Sequence, residues 1–441
     1  MSQERVDMKK ITFLSIGLAI ALMLIGAIFV YIKCNSFVDE DLSTISIEYW
    51  TYLDPARNEL EAELIQEFER KNPEVKVNMT IYSSAELIHI LPNALSAGRG
   101  PDVFNIQQDY ISSILEKGYI NAINCEALGY SSFLEVQDDY IEGALSGVMK
   151  YGVVYGIPME FTNWCLYINK EKFREAGLDP ETDYPKSWED VVEISEKLVV
   201  REDGILVERG FDFRYPQYLT FFVPMVQQLG GSIYNTNGQL ELINEEAWIK
   251  AFTFMQEWGP LHKNLGSPTY INARKSFLND EAAMMLSGLY YIQWLESSYP
   301  ELYEKEDWMI VPFPVFEGGK EVAAAKYCHY WCVNRESSDE KKDGAWSFIG
   351  YLSDNAESYL TRAYQVSPQK SIVENLESYG IPYSSVFIEE LDNSEFVYSG
   401  PGAIEIKNTI ETLIKEVMLL GLDPGKAVIR LEIAINGLSN Q

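Results

Sequence analysis

The chain has 441 residues, 47% of them hydrophobic and 23% charged, the composition of a folded protein too long for one core, so two domains or two lobes are expected. Its 66 acidic residues against 35 basic ones give a formal charge of −31, a field that repels polyanions and argues against nucleic acid as a partner. Aromatic residues reach 13%, enough Tyr and Trp to build stacking surfaces as well as to pack a core.

From Ile11 to Ile32 no residue is charged, a run of about 22 that spans roughly 33 Å as a helix. Arg5, Lys9 and Lys10 precede it, and Asp39, Glu40 and Asp41 follow, which puts the N-terminus in the cytoplasm and the rest outside. Residues 1–42 are therefore expected to form a cytoplasmic stub, a membrane-spanning or signal helix and a spacer. An export signal is the rival, with Met8 as a second possible start, but the run is long for one and no small-x-small cleavage site closes it. Lipid attachment at Cys34 is a third reading, against which Tyr31, Ile32 and Lys33 stand.

After the spacer, Ile45 to Trp50 alternates as a strand, and Asp54 and Pro55 open a helix with Leu60, Leu64, Ile65 and Phe68 on one face. A second strand over Val75 to Ile81, a helix from Ser84 to Ala97 ending at Gly98, and a strand over Val103 to Ile106 complete an α/β unit with a parallel sheet. Ligands of such units lie beyond the strand C-termini, where Trp50, Tyr52, Gln107 and Asp109 fall. Further on, Asn237-Gly238 marks a hairpin and Trp248 to Trp258 an amphipathic helix. Strands follow over Trp308 to Pro314 and Tyr327 to Val333, and helices over Gly344 to Leu352, Glu405 to Leu420 and Pro424 to Ile435.

Tyr155 to Lys170 reads as two strand pieces around a turn that holds Glu160, Asn163 and Trp164. It is either a hinge lining a cleft or an ordinary strand-loop-strand around a buried aromatic. The three histidines, His89, His262 and His329, are far apart and show no metal-ligand spacing, so no metal and no cofactor is expected. Five cysteines without a CxxC pair, Cys34, Cys125, Cys165, Cys328 and Cys332, do not form a disulfide framework.

Taken in order, several segments are similar to bacterial extracellular solute-binding proteins of the sugar-binding class, which serve ABC importers and include the maltodextrin binders. They are Phe68-Glu69-Arg70-Lys71-Asn72-Pro73, Gly98-Arg99-Gly100-Pro101-Asp102-Val103, Tyr155-Gly156-Ile157-Pro158 through Tyr167-Ile168-Asn169-Lys170, Ala282-Ala283-Met284 with Gly288-Leu289-Tyr290, Pro312-Phe313-Pro314 with Gly318-Gly319-Lys320, and Ala345-Trp346-Ser347-Phe348-Ile349. The resemblance covers roughly residues 43 to 440. It implies an α/β, two-lobed periplasmic-binding-protein-like fold with multiple interlobe crossings that closes on ligand like a hinge. The implied lobes are 43–158 plus 333–352 and 159–332 plus 353–441.

The same resemblance implies that Trp50 or Tyr52, Asp109, Glu160 and Tyr290 contact sugar. Gln107, Asn163, Trp164, His329 and Trp331 complete the expected site. Tyrosine at 290 replaces the tryptophan more usual after Gly288, and the bulk of Tyr327, His329, Tyr330 and Trp331 either narrows the cleft or makes a distinct subsite. A pyranose offers apolar faces to Trp or Tyr and edge hydroxyls to carboxylates and amides, which fits these residue types. Bland roles stay open: Asp109 as a helix N-cap, Trp50 and Trp331 as core aromatics, Glu160 paired with a lysine. The implied partners are a carbohydrate, ABC permease subunits and, through the N-terminal helix, the membrane, with the chain acting as a monomer. GxSxG, GxGxxG, the P-loop and HExxH are absent, so a binding protein is expected; an exported glycosidase and a membrane-anchored sensor are the rivals.

Overall fold

The structure, a computed structural model, describes residues 44–439 apart from 214, 216, 271 and 272. Strand β1 (Ile45–Tyr52) feeds helix α1 (Pro55–Lys71), and β2 (Val75–Tyr82), α2 (Ser84–Ser96) and β3 (Val103–Gln107) follow. Local chemistry sets these boundaries. Asp54 accepts the Arg57 N–H and caps α1 just ahead of Pro55, and Ser83 with Glu86 forms a reciprocal capping box on α2. Gly98, at φ 63°, turns the chain out of α2 in the left-handed region that favours glycine.

Helix α3 (Gln108–Glu116) leaves the end of β3. Strand β4 (Ile157–Thr162) turns through Asn163 and Trp164 into β5 (Cys165–Asn169). Then come α4 (Trp188–Leu198), β6 (Val200–Glu202), β7 (Ile205–Phe211), α5 (Tyr218–Gln228), α6 (Glu245–Trp258), α7 (Ala273–Leu278), β8 (Ala282–Ser287) and α8 (Tyr291–Ser298). The chain ends with β9 (Trp308–Val311), β10 (Tyr327–Val333), α9 (Asp339–Ser353), α10 (Ala356–Ala363), α11 (Ala403–Leu420) and α12 (Pro424–Ser439). The expected hairpin at Asn237-Gly238 joins Ser232–Tyr234 to Leu240–Ile243, with Gly238 at φ 75°.

Ten strands make two five-stranded sheets. The first runs β2-β1-β3-β10-β4, with β2, β1 and β3 parallel and β10 antiparallel to both its neighbours. The second runs β9-β5-β8-β7-β6. The expected lobe boundaries at 158/159 and 332/333 cut through β4 and β10, both strands of the first sheet. Strand pairing therefore moves the crossings to Asn163–Trp164 and to the approach to Tyr327. Likewise α10 packs on α1 rather than in the second lobe, with Tyr359 buried beside Trp331, and the chain meets the second lobe again at Tyr383, which packs on Trp308 of β9 at 5.2 Å.

One face of the first sheet buries Ile47 and Tyr49 against α1 and α9, with Tyr49 edge-on to Phe348 at 5.6 Å. An aromatic cluster of Trp188, Phe211, Phe213, Phe254, Trp258 and Phe313 fills the second lobe. At about 25 cal/mol per Å² of apolar surface, each such ring buried is worth a few kcal/mol before entropy is subtracted.

Among the described residues no helix is long and apolar enough to cross a membrane. The span expected at Ile11–Ile32, and Cys34, lie outside the described residues. Cys125, Cys165, Cys328 and Cys332 are free thiols.

Candidate functional site

A cavity of about 180 Å³ opens between the two sheets where β1, β3 and β4 end and β10 begins. Tyr52, Leu53, Asp54, Gln107, Glu160, Thr162 and His329 line it from the first lobe, and Arg274, Tyr290 and Trp294 from the second; Trp164 lies at the crossing. Its position follows the rule that ligands of α/β sheets sit beyond strand C-termini.

The polar centre is a trio. The Tyr52 hydroxyl donates to Glu160 Oε1, and His329 Nδ1 lies 2.5 Å from that hydroxyl and 2.6 Å from the same carboxylate oxygen. Burial pushes the Glu160 carboxyl up, but the charge and hydrogen bond of His329 and the Tyr52 hydroxyl outweigh it and hold it below the ordinary carboxylate value. Both partners use Oε1, and Oε2 carries no hydrogen bond among the described residues, so it can accept from a ligand hydroxyl. Glu160 thus pairs with histidine, not with the lysine that one sequence reading supposed.

Tyr52 is itself held rigidly. The buried Arg57 guanidinium lies 3.8 Å from the Tyr52 ring centroid and donates to the Tyr52 carbonyl, and Asn58 Nδ2 donates to that carbonyl at 3.2 Å. On the facing wall Tyr290 and Trp294 stand one turn apart at the start of α8, Trp294 39% exposed. Two aromatic faces on one side and hydrogen-bonding side chains on the other make a slot for a flat, hydroxyl-edged molecule.

Of the ten residues expected from sequence, six meet here: Tyr52, Gln107, Glu160, Trp164, Tyr290 and His329. Gln107 donates from Nε2 to Ser84 Oγ at 2.8 Å, which fixes its amide on the cavity wall.

The other four lie elsewhere. Trp331 is buried in the core, where its indole N–H donates to the Tyr49 hydroxyl at 3.2 Å. Trp50 packs edge-on against Tyr82 at 5.1 Å and does not line the cavity. Asn163 is spent holding the crossing, donating to the Phe387 carbonyl at 2.8 Å. Asp109 is buried in an ion pair: Lys407 of α11 donates to one oxygen, and the Tyr327 hydroxyl donates to the other at 2.5 Å. It is not the N-cap of α3, which is Gln107. The bulk expected of the second crossing is therefore divided: Tyr327 and His329 shape the cavity, while Tyr330 and Trp331 serve the core.

Sequence reasoning missed Arg274, Trp294, Asp54 and Gln365. Asp54 hides behind its capping role, in which its second oxygen accepts from Gln365 Nε2 at 2.9 Å. Burial raises its carboxyl above the usual value, an effect that Arg57 opposes. Trp294 carries the one signal that was available, its spacing of four from Tyr290 on a helix. Among the described residues no group of three or more His, Cys, Asp or Glu is placed to hold a metal ion.

Comparison with known proteins agrees with this architecture. The family model for bacterial extracellular solute-binding proteins matches residues 54–358. An arabinooligosaccharide-binding protein of Halalkalibacterium halodurans is 27% identical over 252 residues, which are 56% of this chain and 53% of that one. The chain thus spans about half the length of that relative. A maltodextrin-binding protein of Bacillus subtilis is 22% identical over 72% of this chain and 70% of its own. Among solved structures, an ABC transporter solute-binding protein from Thermotoga lettingae bound with α-D-tagatose superposes with a TM-score of 0.78 at 17% identity, covering 90% of this chain and all of that one. A maltose/maltodextrin-binding domain from Bdellovibrio bacteriovorus bound to maltotriose gives 0.74 at 19% identity over the same share of this chain. At such identities the superpositions speak to the fold.

Proposed function

The chain belongs to the family of bacterial extracellular solute-binding proteins, and from that premise we propose that its cleft captures a carbohydrate reversibly and hands it to the permease subunits of an ABC importer. The observation that carries the reading is the slot itself: Tyr290 and Trp294 face Tyr52, Glu160, Gln107 and His329 across a gap between two lobes. Sugar rings stack on aromatic faces and hydrogen-bond at their edges, and a half-satisfied carboxylate such as Glu160 is a strong acceptor for a hydroxyl. The names of the relatives that bind arabinooligosaccharide and maltodextrin support the same class.

Closure about the crossings would carry Tyr290 and Trp294 toward the trio, and release would reverse it. The uncharged run Ile11–Ile32, with Arg5, Lys9 and Lys10 before it, supports an uncleaved anchor that keeps the binding lobes outside the cytoplasm near their permease. We infer a monomer at work.

A glycosidase is the enzymatic rival, since Asp54 and Glu160 share the cavity with their carboxyls shifted in opposite directions. Asp54, however, is occupied in capping α1 and in accepting from Gln365, which leaves it poorly placed to protonate a leaving group.

A thermal-shift screen over mono- and oligosaccharides, with amino acids and polyamines as controls, tests the reading. Stabilisation by a saccharide, with no hydrolysis of it, is expected. A response confined to amino acids or polyamines would sink the carbohydrate assignment.

A further inference from the structure

We propose that the saccharide carries an anionic group, a carboxylate or a phosphate ester, and that Arg274 is the residue that selects it. The inference rests on the carbohydrate reading above and adds the charge of the ligand. Arg274 is the one lysine or arginine among the described residues lining the cavity. It is half-buried, yet in a chain with 66 acidic residues no carboxylate lies within ion-pair distance of it among the described residues. Among the described residues the other buried or half-buried arginines, Arg57 and Arg209, each face one, at 3.7 Å and 3.3 Å. Arg70, Arg99, Arg201 and Arg335, which face none, lie exposed on the surface. A guanidinium withdrawn from water without a counter-charge is costly, and it is retained where a ligand brings the missing charge.

The side chain is also held in place to receive one. Nη1 donates to the Tyr290 hydroxyl at 3.2 Å, and the Tyr291 hydroxyl donates to the Arg274 carbonyl at 3.1 Å. The guanidinium carbon sits 6.0 Å and 5.9 Å from the centroids of those two rings. One side-chain hydrogen bond among the described residues, to a fork of five donors, leaves the outer edge of Arg274 for the paired oxygens of a carboxylate or phosphate. The opposite wall holds Asp54 and Glu160. An anionic group is repelled there and drawn to Arg274, so a ring stacked on Tyr290 and Trp294 has one favoured orientation. The overall charge of −31 slows the approach of an anion, but at physiological salt it is screened beyond about 8–10 Å, whereas the contact with Arg274 is local.

Calorimetric titration of the full chain with matched pairs tests this: galacturonic acid and its oligomers against galactose and its oligomers, and glucose 6-phosphate against glucose. The expected result is a preference of about tenfold or more for the acidic member of one pair, shrinking as NaCl is raised. Whether the uronate or the phosphate shows it identifies the source of the charge. In Arg274→Gln the ratio of acidic to neutral affinity should collapse toward one, and in Arg274→Lys it should fall part of the way, because the charge remains and the fork is lost. A ratio of affinities within one variant is insensitive to any general loss of folded protein. Neutral saccharides binding as tightly as acidic ones overturns this proposal and leaves the carbohydrate reading standing. A response to no saccharide of either charge overturns both, and inorganic phosphate binding as tightly as glucose 6-phosphate overturns the saccharide part.

Discussion

Replacing Asp109 by alanine separates a structural role from a ligand-binding one. Lys407 is 6% exposed, and among the described residues its ammonium meets Asp109 and, at 3.1 Å, the Tyr110 hydroxyl. Burial lowers the tendency of Lys407 to stay charged, but Asp109 and Tyr110 outweigh burial and raise its pKa. Removing the carboxylate strands a buried cation and takes away the oxygen to which the Tyr327 hydroxyl donates, a loss of about 3–5 kcal/mol. At roughly 2.1 cal/mol/K per residue over about 400 residues, the melting entropy is near 0.8 kcal/mol/K, so the melting temperature should fall by on the order of 4–6 °C. Asp109→Ala combined with Lys407→Met should recover most of that fall, because the pair leaves together. Differential scanning calorimetry of the wild type, both single variants and the double variant at pH 7 measures the cycle. If Asp109→Ala left the melting point alone and abolished only ligand binding, Asp109 would be a ligand contact and not the structural partner of Lys407. The raised pKa also gives a sign: the contribution of Lys407 is complete below its unfolded pKa of about 10.4 and is lost as pH climbs through the higher folded value.

Other expectations follow from the same geometry. His329→Asn removes the charge that holds Glu160 down, so the Glu160 carboxyl pKa, followed by NMR, should rise; in the wild type its low value adds stability above the unfolded pKa that is lost as pH falls through the folded one. Tyr290→Ala should weaken saccharide binding by roughly 1–3 kcal/mol, whereas Trp50→Ala, which faces Tyr82, should leave the affinity within about twofold in the same titration. Burial first, then Glu321 and Glu389, pushes the Glu390 carboxyl up to about 7. Glu390→Gln should therefore raise the melting temperature at pH 8 and lose that advantage as pH falls from about 7 through the unfolded value of about 4.3, below which the native residue is protonated in both states. A Cβ at Gly288 would meet Thr162 Oγ1 at 2.1 Å and the Tyr290 ring at 2.7 Å, so Gly288→Ala should distort the cavity wall and weaken binding, with partial rescue by Thr162→Ala.

The scaffold was legible wherever the signal was local. Asp54-Pro55, Ser83 with Glu86, and Asn237-Gly238 each announce a boundary within a few residues, and the apolar, aromatic run Tyr327 to Val333 marks a strand. The site was legible only in part, because membership of a cleft depends on depth along a strand. Trp50 and Tyr52 belong to the same strand, yet only the last residue, Tyr52, reaches the opening. Similarly, Trp331 lies two residues past His329 and is already buried against Tyr49 of β1 and Tyr359 of α10. Asp109 looked free because its partner, Lys407, is 298 positions away. Arg274 gave no signal at all, since what sets it apart is that no carboxylate among the described residues lies within ion-pair distance of it in space. The lobe boundaries slipped for a related reason: β10 and α10 belong to the first lobe by long-range pairing, which no spacing pattern in their own segments records.

The placement of β10 between β3 and β4 has a consequence for how the protein is made. Synthesis delivers β1 to β4 first, but the strand that joins β3 to β4 emerges about 165 residues after β4 ends, which is on the order of 10–30 s of elongation at about 5–20 residues per second. Until then two strands face an empty slot with their backbone groups unpaired, the condition in which a nascent sheet recruits the wrong neighbour. A chain built this way gains nothing by folding early, and delay until its last third is available keeps the slot for its own strand.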